Sequence, residues 1–254
     1  MKILIAQLQF DFRRLVLRNT SFQLFTVLMP VGFYLLFTKV LITGTLGEKA
    51  QFAVGYLGNM IVYSGLLNAL FGLATLLLHD RERGLVRWLQ LTPNGICSYY
   101  VSVGLVTFAM NLIAVLVLSG VAVAVNHVQL TLGQGLGLTG GALIGQLPLL
   151  SLGVLLSFID RAETLSALAN LIVFPLAIIS GLWWPLGVFP QWVQVIGKVT
   201  PTYQLNQLLG ALMLHGKLNL SSLTGLMLWT LGLIIVVASL ARYRLKRGGG
   251  VVQS

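Results

Sequence analysis

Charge is what this sequence has least of. Only 9% of its 254 residues are Asp, Glu, Lys or Arg, where a soluble domain carries about a quarter. Cysteine occurs once, at Cys97, which excludes a disulfide framework and a cysteine-built metal site and leaves a small residue facing lipid or a neighbouring helix. The three histidines, His79, His127 and His215, are far apart and near the ends of apolar runs. With no His-x-x-x-His pair and no Gly-x-Ser-x-Gly elbow, nothing resembles a catalytic constellation. A nucleotide-hydrolysing phosphate loop is also missing. Gly197-Lys198 has Trp192, and Gly216-Lys217 has Ala211, where the upstream glycine of G-x-x-x-x-G-K-[ST] belongs. The six acidic residues, Asp11, Glu48, Asp80, Glu82, Asp160 and Glu163, all read as lying at or beyond the ends of apolar runs. An ion-coupled carrier keeps an ionisable residue inside the bilayer, so a secondary transporter is disfavoured. If this chain moves a solute, the energy comes from another subunit.

Apolar residues are abundant: 57% of the chain, with a mean hydropathy of +0.91. Several runs are long enough to cross a bilayer at about 20 residues each, so the fold class is an all-α polytopic membrane protein with one membrane domain over 1–254. The predicted spans are 21–42, 52–78, 99–125, 136–159, 165–182 and 223–240. Pro30, Pro148 and Pro175 should bend the spans that contain them. Residues 2–18 read as an interfacial amphipathic helix rather than a cleavable signal peptide. Gln7, Asp11, Arg14 and Arg18 make one polar stripe, and Leu4, Leu8, Phe12 and Leu15 oppose it. Gly133, Gly137, Gly141 and Gly145 recur every fourth residue, one small face for a close neighbour, either within the chain or between subunits. After span five, Trp183-Trp184-Pro185 and Phe189-Pro190-Gln191-Trp192 read as an interfacial belt. It opens a re-entrant segment, 183–214, broken at Thr200-Pro201.

The formal charge of +10 is not spread over a folded basic face, so it does not point to nucleic acid. It sorts by topology instead. With both termini cytoplasmic, Lys2, Arg13, Arg14, Arg18, Arg81, Arg83, Arg87, Arg161, Arg242, Arg244, Lys246 and Arg247 lie inside, and only Lys39, Lys49, Lys198 and Lys217 lie outside.

That orientation puts the densest charge cluster, Asp80-Arg81-Glu82-Arg83-Gly84-Leu85-Val86-Arg87-Trp88-Leu89-Gln90-Leu91-Thr92-Pro93, on the cytoplasmic side. Both charge signs flank an apolar face of Leu85, Trp88, Leu89 and Leu91, and Thr92-Pro93 stops the helix. A helix with an aromatic anchor and flanking charges can press into a groove on a soluble partner, or lie on the lipid headgroups.

Arg81 to Pro93 resembles the Glu-Arg-Gly…Leu…Thr-Pro signature of type-2 ABC transporter permeases, although Leu85 stands where members commonly have threonine. Ser180-Gly181-Leu182-Trp183-Trp184-Pro185-Leu186, followed by Phe189-Pro190, Trp192 and Thr200-Pro201, is similar to that family's segment after its fifth span. The resemblance covers the whole chain. It implies the non-catalytic permease of an ATP-driven exporter in the plasma membrane, paired with a second permease, either another copy of this chain or a different one. ATP and Mg would be bound by partner ABC ATPase subunits and not by this chain. It also implies that Asp80, Arg81, Glu82, Arg83, Gly84, Arg87, Trp88, Thr92 and Pro93 form a coupling helix. The helix with Asp11, Arg14 and Arg18 would touch the ATPase, and Trp183 to Leu214 would cap the pathway in the outer leaflet. The expected cargo is amphipathic or hydrophobic: a drug, lipid or lipid-linked molecule. A non-transporting membrane scaffold or assembly factor is the alternative.

Overall fold

A computed structural model describes residues 20–91 and 95–248. The interfacial helix expected over 2–18, with Asp11, Arg14 and Arg18, lies outside these residues, as do Thr92 and Pro93. Every regular element among the described residues is helical, and six helical stretches are long and apolar enough to cross a membrane.

The first comprises α1 (Thr20–Leu35) and a wider π-helical turn, Leu36–Leu41. Within that turn the Thr38 hydroxyl donates to the Tyr34 carbonyl at 2.6 Å, a side-chain bond to the preceding turn of the kind that loosens helix geometry. The second is the axis of the molecule: α2 (Leu46–Leu67), a π-helical stretch Asn68–Leu73, and α3 (Ala74–Glu82), continuous over Leu46–Glu82. Its most apolar window is 78% buried, against 11% for the sixth span. It is 37 residues long, about 55 Å, well beyond the ~30 Å hydrocarbon core.

Small and polar residues along the axis pin its neighbours. Ser64 donates to the Thr26 carbonyl of α1 at 3.1 Å, and Asn68 to the Thr107 carbonyl at 3.4 Å. Thr107 belongs to α5 (Gly95–Asn126), the third span; α4 (Leu85–Gln90) precedes it. The fourth span is broken at Gln146 into α6 (Leu132–Gly145) and α7 (Leu147–Leu156). Pro148, in the first turn of α7, lacks the N–H that would continue the helix. Gly153 on α7 lies against the Ala69 backbone carbonyl, leaving no room for a Cβ.

The fifth span, α8 (Ala162–Ile179), ends at Gly181 (φ +77°). Leu182 N–H bonds to the Ala177 carbonyl and Gly181 N–H to the Ile178 carbonyl, a Schellman cap that turns the chain back. Then come a 3₁₀ turn (Leu186–Val188), α9 (Gln191–Val199) and α10 (Pro201–His215). Thr200 caps α10 by accepting from Tyr203 N–H at 3.3 Å, with Pro201 at the first helical position. The sixth span is α11 (Leu220–Gly248).

Several helices start earlier or end later than predicted. Thr45 and Glu48 form a capping box: Thr45 N–H donates to Glu48 Oε2 at 2.8 Å, and Glu48 N–H donates to Thr45 Oγ. The helix therefore begins at Leu46, inside the expected loop. Thr131 and Gln134 do the same for α6. At the other end the second span runs through Glu82, so Asp80 is in that helix and not beyond it. Likewise α11 continues past its apolar stretch to Gly248, carrying Arg242 and Arg244.

The glycine ladder packs inside the chain. Gly137 and Gly141 face Leu212, and Gly145 faces Leu205, so α6 and α10 fit groove to ridge through one helical face. Gly133 has an open face.

Candidate functional site

The alternation of spans gives the bundle two unlike ends. One carries Lys39, Lys49, Lys198 and Lys217 and, within the bundle, a set of aromatic rings. The other carries Asp80, Arg81, Glu82, Arg83, Arg161, Arg242 and Arg244.

At the charged end the segment 80–91 divides in two. Asp80 is 2% exposed and accepts from the Tyr99 hydroxyl at 2.6 Å, which joins the end of α3 to the start of α5. Arg81 turns toward the loop between α7 and α8, where it donates to the Ile159 carbonyl and lies 3.5 Å from Asp160. Arg244, on α11, reaches the same carboxylate at 3.0 and 3.2 Å, donates to the Phe158 carbonyl, and stacks over the Phe158 ring at 5.7 Å. The hydrogen bond from Arg244 holds the Asp160 carboxyl below the usual carboxylate range. One exposed carboxylate thus links the second span to the sixth.

The helix stops just beyond. Arg83 N–H bonds to the His79 carbonyl and Gly84 N–H to the Arg81 carbonyl, both at 3.0 Å, with Gly84 at φ +72°. A residue with a Cβ is strained in that conformation, so glycine permits the reversal into α4. On α4, Leu85 and Leu89 pack against the core, whereas Trp88 is 74% exposed and Leu91, just past the helix end, 85%. Glu82 and Arg83 are exposed beside them. Arg87 is on the same short helix. The predicted coupling residues therefore fall into two groups. Asp80 and Arg81 face inward and hold the framework. Glu82, Arg83 and Trp88 face out.

At the other end the Trp183 ring is stacked on Phe33 (5.2 Å, 9°) and meets Tyr63, Phe174 and Trp184 edge-on. The predicted belt is divided as well. Trp183 is buried in the bundle, while Trp184, Pro185, Pro190 and Trp192 are exposed and Phe189 is half-buried. The Asp160–Arg244 link, the Tyr99 partner of Asp80 and the inward role of Trp183 escaped the sequence reading. Long-range pairs such as Asp160 with Arg244 leave no mark in local spacing. Among the described residues no three His, Cys, Asp or Glu side chains converge on a possible metal position.

This is the architecture of a multi-pass helical membrane protein with a short, partly exposed helix between its second and third spans. The chain belongs to the ABC-2 type transporter family, whose model matches residues 4–214. It is similar to YvfS of Bacillus subtilis (strain 168), named as a candidate transport permease, with 29% identity over 188 residues covering 74% of this chain and 76% of that protein.

Proposed function

We propose that this chain is the permease of an ABC exporter, driven by ATP that a separate subunit hydrolyses, and that α4 is where the ATPase docks. The supporting observation is the pair Trp88, exposed on α4, and Leu91, exposed just past its end, while the other face of the helix, Leu85 and Leu89, is anchored to the bundle. An exposed aromatic beside charges of both signs is the composition of an interface hot spot. Family membership supports an ATPase partner.

A push on α4 has a route inward. Gly84 connects it to α3, and Arg81 connects α3 through Asp160 and Arg244 to α11. The centre of the bundle is filled by α2 and the π-helical stretch after it, so a passage fits better between two permease copies than through one. Apolar exposed faces, such as Leu24, Phe25 and Leu28 on α1 and Leu171 and Phe174 on α8, suit an amphipathic or hydrophobic cargo. The basic residues of the charged end favour the cytoplasm of the cell membrane, with both termini inside.

The test is co-purification with the candidate ATPase and transport in proteoliposomes, for the wild type and for Trp88→Ala with Arg83→Ala. Loss of ATPase association and of ATP-dependent transport is expected. Wild-type association and transport in the double variant would refute docking through α4. A wild type that captures no ATPase would favour the scaffold reading.

A further inference from the structure

Beside the aromatic rings lies an open cavity of about 510 Å³, bounded by α2, the turn around Gly181, and α10. No lysine, arginine or carboxylate lines it. Its polar side chains are neutral: the carboxamides of Asn59, Asn206, Gln207 and Asn219, the phenols of Tyr56 and Tyr203, and the Ser180 hydroxyl, which donates to the Leu176 carbonyl. Asn59 spends its amide N–H groups on the carbonyls of Gly181 and Leu182, both at 3.1 Å, which fixes the side chain with its own oxygen left over. Asn206 and Gln207 sit side by side on α10, and their side chains make no hydrogen bond with the described residues.

Unspent carboxamides both donate and accept, as does a hydroxyl group. Aromatic faces pack against C–H-rich ring surfaces. Among the lining side chains an anionic headgroup would meet no cation, and a cationic one no carboxylate. We infer that this cavity binds a neutral polyhydroxylated group, the glycosyl part of a lipid or a free saccharide, held by Asn59, Asn206 and Gln207 against Tyr203. The inference deepens the permease reading by naming a chemical class for what the chain handles, and it can be tested without ATP or any partner.

The full chain is placed in phosphatidylcholine nanodiscs with a diazirine-bearing diglucosyl diacylglycerol or a phosphatidylglycerol carrying the same diazirine acyl chain. Labelled peptides are read by mass spectrometry. Labelling should concentrate on peptides containing residue 59 or residues 203–219, favour the glycolipid, and fall at least about tenfold in Asn206→Ala/Gln207→Ala, as expected for two lost hydrogen bonds. Unchanged melting temperature shows that the variant is folded; if it is not, Gln207→Ala alone, at an exposed position, carries the comparison. Competition by free maltose would identify the saccharide as sufficient, and its failure would identify the lipid-linked form as the ligand. Equal labelling by both headgroups, or labelling indifferent to the substitutions, overturns the inference and leaves the ATPase-docking reading untouched. Loss of ATPase association would leave this one untouched in turn.

Discussion

The two halves of the bundle are held by opposite kinds of force. At one, Trp183 is stacked on Phe33 and boxed by Tyr63, Phe174 and Trp184. At the other, Arg81 and Arg244 share the carboxylate of Asp160, whose side chain is 74% exposed. Ring packing is insensitive to salt and loses energy steeply when a large side chain is removed. Exposed ion pairs are weak, screened, and easily remade in another geometry. The first kind suits a fixed point and the second a part that must move. If α4 docks the ATPase as proposed, a bundle so built would pivot about its aromatic end while its charged end follows the push on α4.

The largest effect should come from the fixed end. Trp183→Ala removes a buried ring and leaves a cavity among four others, at a cost of about 3 kcal/mol, read as a lowered unfolding midpoint in detergent. A variant as stable as the wild type would show that the rings are not the fixed point. Next comes Trp88→Ala, which should weaken ATPase binding by about 2 kcal/mol, roughly thirtyfold, without moving that midpoint. If both substitutions altered stability equally and neither altered binding, the division between the two ends would fail.

Gly84→Ala should fall below these. The φ of +72° is unfavourable for any residue with a Cβ, and the space around the position is open, so the cost is that of the backbone alone, about 1 kcal/mol. Its effect belongs on coupling. ATPase association should survive while transport per ATP hydrolysed falls, because α4 is re-angled and not lost. Equal transport yield would remove Gly84 from the route.

Hydropathy made the six apolar stretches readable, because a bilayer imposes length and composition directly on sequence. Helix ends were less readable, although the chemistry was present. Thr45-x-x-Glu48 and Thr131-x-x-Gln134 are capping boxes in plain sight, yet hydropathy counts their residues as loop. The glycine ladder announced a close helix pair but not its partner, since Leu205 and Leu212 lie some sixty residues or more away. The same holds at the charged end. A dense run of charge identified the segment, but not that Asp80 turns in to Tyr99 while Trp88 turns out. Those directions depend on where α3 stops, and hence on the conformation of Gly84. Trp183 was taken for a belt residue because tryptophan near a span end usually is one. The Schellman cap at Gly181 folds the chain back and carries the ring into the bundle.

The smallest effect probes the movable end most directly. Hydrogen bonding by Arg244 lowers the Asp160 pKa, so the carboxylate contributes stability above its unfolded pKa, near 4. That contribution is lost as pH falls through the lowered folded value. Because the pair is exposed, it is worth only a few tenths of a kcal/mol, too little to read in a melting curve. Distance is the better observable. Spin labels at Arg161 and Tyr243 should report an unchanged separation between pH 8 and pH 5. The distribution should broaden at pH values below the folded pKa, and at neutral pH in about 1 M salt, where the screening length is near 3 Å. Asp160→Asn should give the broadened distribution at every pH. If the distance stayed narrow in that variant, α11 would be held at this end by packing, and the contrast between a fixed end and a movable one would have to be drawn somewhere other than Asp160.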